Sequence, residues 1–474
     1  MSAADPDEAA SDVRSRLARL ANAFIKYPAR MIVAGYLVVV LIGTALLSLP
    51  AATLNDRATF VEALFTATSA ACITGLVVVD TGSYWSSFGH AVILGLIQLG
   101  GLGIMTVASL LGLLVARRMG LRMQLIAQTE TKSLRLGDMR RVVVGVIKMS
   151  IIIEVVTATV LTLRYWAVYA DSFGEALYWG VFHAVSAFNS AGFALQADSM
   201  MEYVGDPLIL VPVIVAFTLG AIGFPVIFEV TKHIRQQIRE SNANVDQSPR
   251  HWTVHTKITV LTHGVLAVVG IFSVTMFEWA NPATMGPLST MEKLLAGSFQ
   301  GLAPRSVGFN TIETGDMNSA TVLITNVLMF IGGGSAGTAG GIKVATFALL
   351  GFVILAELRG QPTVHVMGRR IAESVQRQAL SVALMSIAAV MTGTVIILSL
   401  TDHRLETVLF EVISAFCTVG LSMGITADLP EVAQVILCVL MFAGRIGPII
   451  LASALALQER PRRYELPEER PIVG

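Results

Sequence analysis

The chain has 474 residues, 54% of them hydrophobic and 14% charged, and a mean hydropathy of +0.69. That is too apolar and too charge-poor for a soluble domain of ordinary usage, and it places the chain in a lipid bilayer. Lys and Arg together number 33 against 33 Asp and Glu, so net charge says nothing and only the placement of the cations is informative.

Residues 1–27 lack the cation-then-apolar order of a cleaved signal and read as a cytoplasmic lead-in. Eight apolar stretches long enough to cross a hydrocarbon core of about 30 Å then follow, at 31–49, 91–116, 142–163, 208–230, 258–277, from 320 onward, 380–400 and 435–457. Cations cluster on one side of them. Arg14, Arg16, Arg19, Lys26 and Arg30 precede the first stretch, and Arg117, Arg118, Arg122, Lys132, Arg135, Arg140 and Arg141 follow the second. Lys232, His233, Arg235, Arg239 and Lys257 follow the fourth; Arg359, Arg369, Arg370 and Arg377 follow the sixth; Arg460, Arg462 and Arg463 follow the eighth. Both termini and every even-numbered connection are therefore expected in the cytoplasm. The opposite loops carry Asp80, Asp171, Asp198, Glu202, Asp206, Glu278, Glu313, Asp316, Asp402 and Asp428. That acidity either concentrates cations or simply reflects the exclusion of Lys and Arg from outward loops. Cys72, Cys417 and Cys438 lie in apolar stretches, give no disulfide or metal-binding spacing, and read as packing residues.

Four segments align with one another: "EALFTATSAACITGLVVVDTG" from Glu62, "EALYWGVFHAVSAFNSAGFALQ" from Glu175, "EKLLAGSFQGLAPRSVGFNTIETGDM" from Glu292 and "ETVLFEVISAFCTVGLSMGITADL" from Glu406. Each starts with Glu and a short apolar half-helix, and each reaches a tripeptide with glycine at its centre. These are Thr74-Gly75-Leu76, Ala191-Gly192-Phe193, Val307-Gly308-Phe309 and Val419-Gly420-Leu421, with the glycines 117, 116 and 112 residues apart. The spacing predicts four units: repeat 1 at 28–118, repeat 2 at 119–240 with its preceding cytoplasmic linker, repeat 3 at 241–360, repeat 4 at 361–459, and a cytoplasmic tail at 460–474. Each unit is a helix, a re-entrant half-helix with an extended return, and a second helix. The predicted fold class is thus an all-α polytopic membrane protein with eight transmembrane helices and four re-entrant pore helices around one pore.

A re-entrant loop cannot face lipid, because its unsatisfied N–H and C=O groups would each cost several kcal/mol. Four such loops entering from one side converge on an axis and offer it their carbonyl oxygens. Rings of carbonyls that replace a hydration shell select a dehydrated alkali cation, and glycine supplies the backbone angles that this requires. Ile73, Asn189, Ser190, Ser306, Asn310, Thr311, Thr418 and Ser422 flank the tripeptides; the polar ones either supply oxygens to a hard cation or hold the loops. The leading glutamates, at the N-termini of the half-helices, are expected to answer the helix dipole.

These motifs resemble the Trk/Ktr/HKT superfamily of potassium transporters over about residues 28–457. The resemblance implies that the four tripeptides form a selectivity filter, with potassium held at the backbone carbonyls of Thr74, Ala191, Val307 and Val419. All four filter positions are glycine, which in this superfamily points to potassium rather than sodium. Only about thirty residues precede the first repeat, which favours the Ktr-type membrane subunit. Such subunits resemble homodimers seated on a cytosolic ring of nucleotide-binding, Ktr-type regulatory proteins. This chain has no glycine-rich phosphate fingerprint, so nucleotide would act only through that partner, and K+ is the transported ion, with no covalently bound cofactor. The cell inner membrane is the expected location, and no nucleic acid is expected as a partner.

The second spans each carry a glycine-rich patch, at 98–103, 218–225, 331–343 and 442–448. For the first, second and fourth, close helix packing is the expected role. The third has six glycines in thirteen residues, which cannot sustain a helix interior at roughly 1 kcal/mol per glycine. The resemblance implies that this segment, Gly332, Gly333, Gly334, Ser335, Gly337, Thr338, Gly340, Gly341 and Lys343, is an intramembrane gate with Arg445 beside it. Two readings stay open for each cation: Lys343 anchors the gate or snorkels to the interface, and Arg445 serves the gate or pairs structurally with a carboxylate. Arg305 either braces the filter through loop carbonyls and a repeat glutamate or sits at the outer mouth. His183 reads as a packed pore-helix residue. A secondary transporter with inverted repeats fits poorly, since the four segments run in one orientation, and a membrane enzyme lacks gathered titratable groups. Sodium-permeable or sodium-coupled transport on the same fold is the alternative within the superfamily.

Overall fold

The computed structural model describes residues 28–54, 56–103, 136–243, 252–335 and 337–447. The lead-in 1–27, most of the basic connection 104–135, residues 244–251 and the tail from 448 lie outside the described residues, as do the ends of the expected spans 91–116 and 435–457. In chain order the helices are α1 (Pro28–Leu47), α2 (Phe60–Ala71), α3 (Thr81–Tyr84), α4 (Ser87–Gly101), α5 (Leu136–Val168), α6 (Phe173–Phe188), α7 (Pro207–Ile222) and α8 (Phe224–Ala243). They continue as α9 (Val254–Glu278), α10 (Thr290–Leu302), α11 (Ser319–Phe330), α12 (Val344–Leu358), α13 (Glu373–Leu400), α14 (Leu405–Phe416) and α15 (Glu431–Ile446). A two-residue-stranded hairpin, β1 (His365–Val366) and β2 (Arg369–Arg370), joins α12 to α13.

Among the described residues, three helices are long and apolar enough to cross a bilayer: Val143–Val168, Val254–Glu278 and Glu373–Leu400. Their outer faces are apolar and exposed, as at Ile151, Val155, Val268, Phe272, Leu384 and Val395. Their inner faces bury small and polar residues such as Ser150, Thr157, Thr259 and Thr394. This inversion of the soluble pattern is what a lipid solvent demands, since helix association there comes from close packing and hydrogen bonds.

The expected span 208–230 is not one straight helix. α7 and α8 meet at Gly223 and bend by 104°. Gly223 has φ +102°, and a side chain there would come within 2.5 Å of the Ser335 carbonyl oxygen. The break falls in the glycine-rich patch 218–225, where the expected role was close helix packing and the backbone instead turns.

α2, α6, α10 and α14 are short and begin alike. Thr59 and Ser289 form capping boxes with Glu62 and Glu292, and Ser172 accepts from the Glu175 N–H. Glu406 also lies in the first turn of its helix, where the exposed N–H groups favour negative charge. Each short helix packs along one or both of its longer neighbours, and its C-terminal half is buried.

Candidate functional site

All four short helices end in turns of one pattern. Ile73, Ser190, Ser306 and Thr418 have φ of 51°, 58°, 74° and 49°, and two residues later Gly75, Gly192, Gly308 and Gly420 have φ of 91°, 72°, 79° and 97°. The residue between them, Thr74, Ala191, Val307 or Val419, is fully buried. Four non-glycine residues held left-handed are a strain that surrounding hydrogen bonds must outweigh. In three turns the central residue donates five residues back, at 2.8 Å: Thr74 to Ser69, Ala191 to Ser186 and Val419 to Ser414. The Ser69 and Ser414 hydroxyls also accept from the Gly75 and Gly420 N–H at 3.1 and 3.0 Å.

The third turn differs because Leu302 stands where the others have serine. There Val307 donates to Ala303 at 3.2 Å, and Ser306 bonds outward instead. Its hydroxyl donates to the Thr418 carbonyl at 2.7 Å and accepts from the Gly340 N–H at 3.1 Å. The serine six residues before the glycine recurs in three of the aligned segments, as Ser69, Ser186 and Ser414, and is the signal in the sequence for this bond.

The four turns close a ring in sequence order. A Cβ on Gly75 would overlap the carbonyl oxygen of Ala191, and one on Gly192 would lie 2.6 Å from that of Val307. One on Gly308 would lie 2.9 Å from the Val419 carbonyl oxygen, and one on Gly420 would overlap that of Thr74. Each glycine thus abuts the carbonyl preceding the next glycine, and the last returns to the first. These four carbonyls are the ones expected to hold the ion.

On one side of the ring lies an open cavity of about 290 Å³, lined by Gly75, Gly192, Gly308 and Gly420 at its floor and by Asp80, Asp198 and Glu313 on its walls. Among the described residues, no Lys or Arg lines it. Leu76, Phe193, Asn310 and Ser422 also face it, whereas Phe309 is fully buried. Asn189 turns away from the ring: its amide donates to Gln98 at 2.9 Å, Glu154 at 3.1 Å and the Val185 carbonyl at 2.9 Å. It holds the end of α6 and supplies no oxygen to the axis, because Glu154 on α5 and Gln98 on α4 capture it.

On the ring's other side, residues 331–343 interrupt the helical course between α11 and α12 and form a loop, as their glycine content requires. Gly334 and Thr338 donate to the Ala221 and Gly220 carbonyls at 2.7 and 3.1 Å, so the loop docks on the broken end of α7. The Thr338 hydroxyl meets Ser190 at 2.9 Å, and Gly340 lies against Cys417 and Thr418. The loop therefore touches the second, third and fourth turns directly. Lys343 donates to the Ala339 carbonyl at 2.5 Å, within the loop. Among the described residues Arg445 pairs with no carboxylate: it donates to the Thr338 carbonyl and, at 2.6 Å, to the Gly100 carbonyl. Arg305 is 2% exposed, so it is not at an outer mouth, and no repeat glutamate meets it. Its guanidinium donates to His263 Nδ1 at 2.9 Å and to the Gly332 carbonyl at 3.1 Å.

Glycines of the second-span patches pack against the short helices. A Cβ on Gly100, Gly220 or Gly444 would overlap the carbonyl oxygen of Ala71, Phe188 or Phe416, the last residue of the neighbouring short helix in each case. Close approach is what these glycines permit.

The family described as TrkH, cation transport protein, matches residues 23–461. Ktr system potassium uptake protein B of Bacillus subtilis (strain 168) is 37% identical over 438 residues, covering 91% of this chain and 94% of that protein. The protein of the same name from Vibrio alginolyticus is 36% identical over 446 residues, covering 94% of each. Potassium/sodium uptake protein NtpJ of Enterococcus hirae is 29% identical over 457 residues, covering 94% of this chain and 97% of that one. The crystal structure of the potassium transporter TrkH from Vibrio parahaemolyticus superposes with a TM-score of 0.67 at 17% identity, over 89% of this chain and 84% of that chain, a likeness of fold.

Proposed function

This chain belongs to the TrkH family of cation transport proteins, and on that premise we propose that it is a membrane protein that takes up potassium, as the Ktr-type membrane subunit of a two-component system. The closed ring of four glycines and four carbonyls is the observation that carries this reading. Thr74, Ala191, Val307 and Val419 hold potassium by their backbone oxygens, with Gly75, Gly192, Gly308 and Gly420 keeping those oxygens free of side chains. The chain is four tandem helix, pore loop, helix units with eight spans around one pore, a reading supported by the four recurring turns. The acidic cavity is the outer vestibule and gathers cations before they shed water.

The loop 331–343 is the gate. It lies against the inner side of three filter turns, and Arg445 tethers it by two backbone carbonyls. A tether made of hydrogen bonds can be exchanged for another at a cost of a few kcal/mol, which is what a two-state element needs. The cytoplasmic side, with Arg369 and Arg370 on its hairpin, faces a cytosolic nucleotide-binding ring on which a homodimer sits in the cell inner membrane, both termini inward.

Uptake in a potassium-uptake-deficient bacterial host at varied sodium tests the reading. Growth and uptake should be restored at low potassium and depend little on sodium. A chain that moves sodium and not potassium would overturn the assignment. Sodium is kept as a second passenger because NtpJ is named a potassium/sodium uptake protein.

A further inference from the structure

Beyond each filter glycine the chain returns outward in extended form, and what fastens that return to its own short helix differs from unit to unit. In the second unit, His183 on α6 donates from Nδ1 to the Trp179 carbonyl at 2.9 Å, leaving Nε2 to accept from the Leu195 N–H at 3.5 Å. In the third, Gln300 Oε1 on α10 accepts from the Thr311 N–H at 3.0 Å. Leu195 and Thr311 each stand three residues past their glycine. In the fourth, the fastening group is the carboxylate of Glu411 on α14, nine residues before Gly420, as His183 is nine before Gly192. Glu411 is 1% exposed and faces no cation among the described residues. It accepts from the Ser422 hydroxyl and, at 2.9 Å, from Thr426 Oγ1. Ser422 in turn accepts from the Gly424 N–H at 2.9 Å, and both Ser422 and Thr426 form the vestibule wall at the edge of the ring.

We propose that Glu411 is a positioning residue for ion selectivity: through Ser422 and Thr426 it fixes the return of the fourth filter loop, and with it the Val419 carbonyl at the ring. The inference rests on the filter reading above. A carboxyl buried without a cation is expensive unless hydroxyls and N–H groups satisfy it, so its place behind a filter wall calls for a task. The task is that of an acceptor, since an amide does the same at Gln300 and a neutral imidazole at His183. Ser422 is only two residues from Gly420, too short a stretch of chain to absorb a displacement before it reaches the ring.

The experiment measures competing potassium and sodium uptake by the full-length chain in the deficient host, with thermal melting of each purified variant in detergent. Glu411→Leu and Ser422→Ala should each lower the potassium-over-sodium ratio by between about two- and ten-fold, the range of one net buried hydrogen bond. The double variant should be less impaired than the two single losses combined, because the Glu411–Ser422 bond is removed in both. Glu411→Gln keeps an acceptor oxygen and should keep the ratio within about two-fold of the parent. If Glu411→Leu does not fold, Ser422→Ala and Glu411→Gln decide alone. An unchanged ratio in Ser422→Ala, or Glu411→Gln as impaired as a variant without the bond, overturns the proposal. A parent chain that itself fails to prefer potassium overturns the filter reading on which it rests.

Discussion

Replacing Gly420 by Ala should cost the filter its selectivity, and the same replacement at Gly424 should not. Both glycines are left-handed, with φ of 97° and 86°. A side chain in that region costs roughly 1–2 kcal/mol at either site. They differ in what the new methyl meets. At Gly424 nothing lies within 4 Å, whereas at Gly420 the methyl overlaps the Thr74 carbonyl oxygen and comes to 2.9 Å from the Gly308 Cα. The Thr74 carbonyl must swing off the ring. An ion that loses one carbonyl loses a contact comparable to a hydrogen bond to a charged group, about 1.5–3 kcal/mol. That corresponds to between about 10- and 150-fold in potassium preference. Competition uptake with potassium and sodium, on protein shown to be folded by its melting curve, reads this ratio. Equal loss in both variants would mean that backbone strain, and not carbonyl displacement, governs the effect, and the ring argument would fail.

Further outcomes follow from the same geometry. Gly75→Ser should weaken potassium-over-sodium discrimination in flux assays by a similar factor, since its Cβ alone overlaps the Ala191 carbonyl. Arg445→Gln, which removes the reach to the Thr338 and Gly100 carbonyls, should raise basal potassium flux and make it less dependent on the regulatory partner; unchanged basal flux in a folded variant would leave the loop a structural kink. Deleting residues 334–340 should raise basal flux more strongly, and it should also disturb selectivity, because Thr338 and Gly340 bond to Ser190 and Ser306 beside the filter. Cysteines placed at Arg369 or Arg370 should crosslink to the cytosolic ring; crosslinks from Asp198 or Asp428 instead would invert the topology.

Much of the ring of four turns was legible because it repeats. The 112- to 117-residue spacing singled out four glycines, and the structure brings those four together. What escaped the sequence has physical reasons. The bend at Gly223 lies in the glycine-rich patch 218–225, whose expected role was close helix packing; its φ of +102° and the Ser335 carbonyl packed against it show why glycine is there. Asn189 flanks a filter glycine, yet the carboxylate that turns it away comes from a helix 35 residues earlier. Arg305 had two readings, a brace on loop carbonyls and a repeat glutamate or a place at the outer mouth; its partners, His263 and the Gly332 carbonyl, come from α9 and the loop 331–343, and neither carries a negative charge. The third turn's departure traces to one residue, Leu302 in place of serine, which passes its holding role to Ser306 and so joins the filter to the loop beneath it.

The central claim is that potassium passes through the four-carbonyl ring. A crystal structure of the full chain grown in rubidium, a heavy stand-in for potassium, tests it most directly through the ion's anomalous signal. The account predicts a peak on the axis bounded by the carbonyls of Thr74, Ala191, Val307 and Val419, lost when Gly420 is replaced by Ala. A peak confined to the acidic vestibule near Asp80, Asp198 and Glu313, with none at the ring, would contradict it.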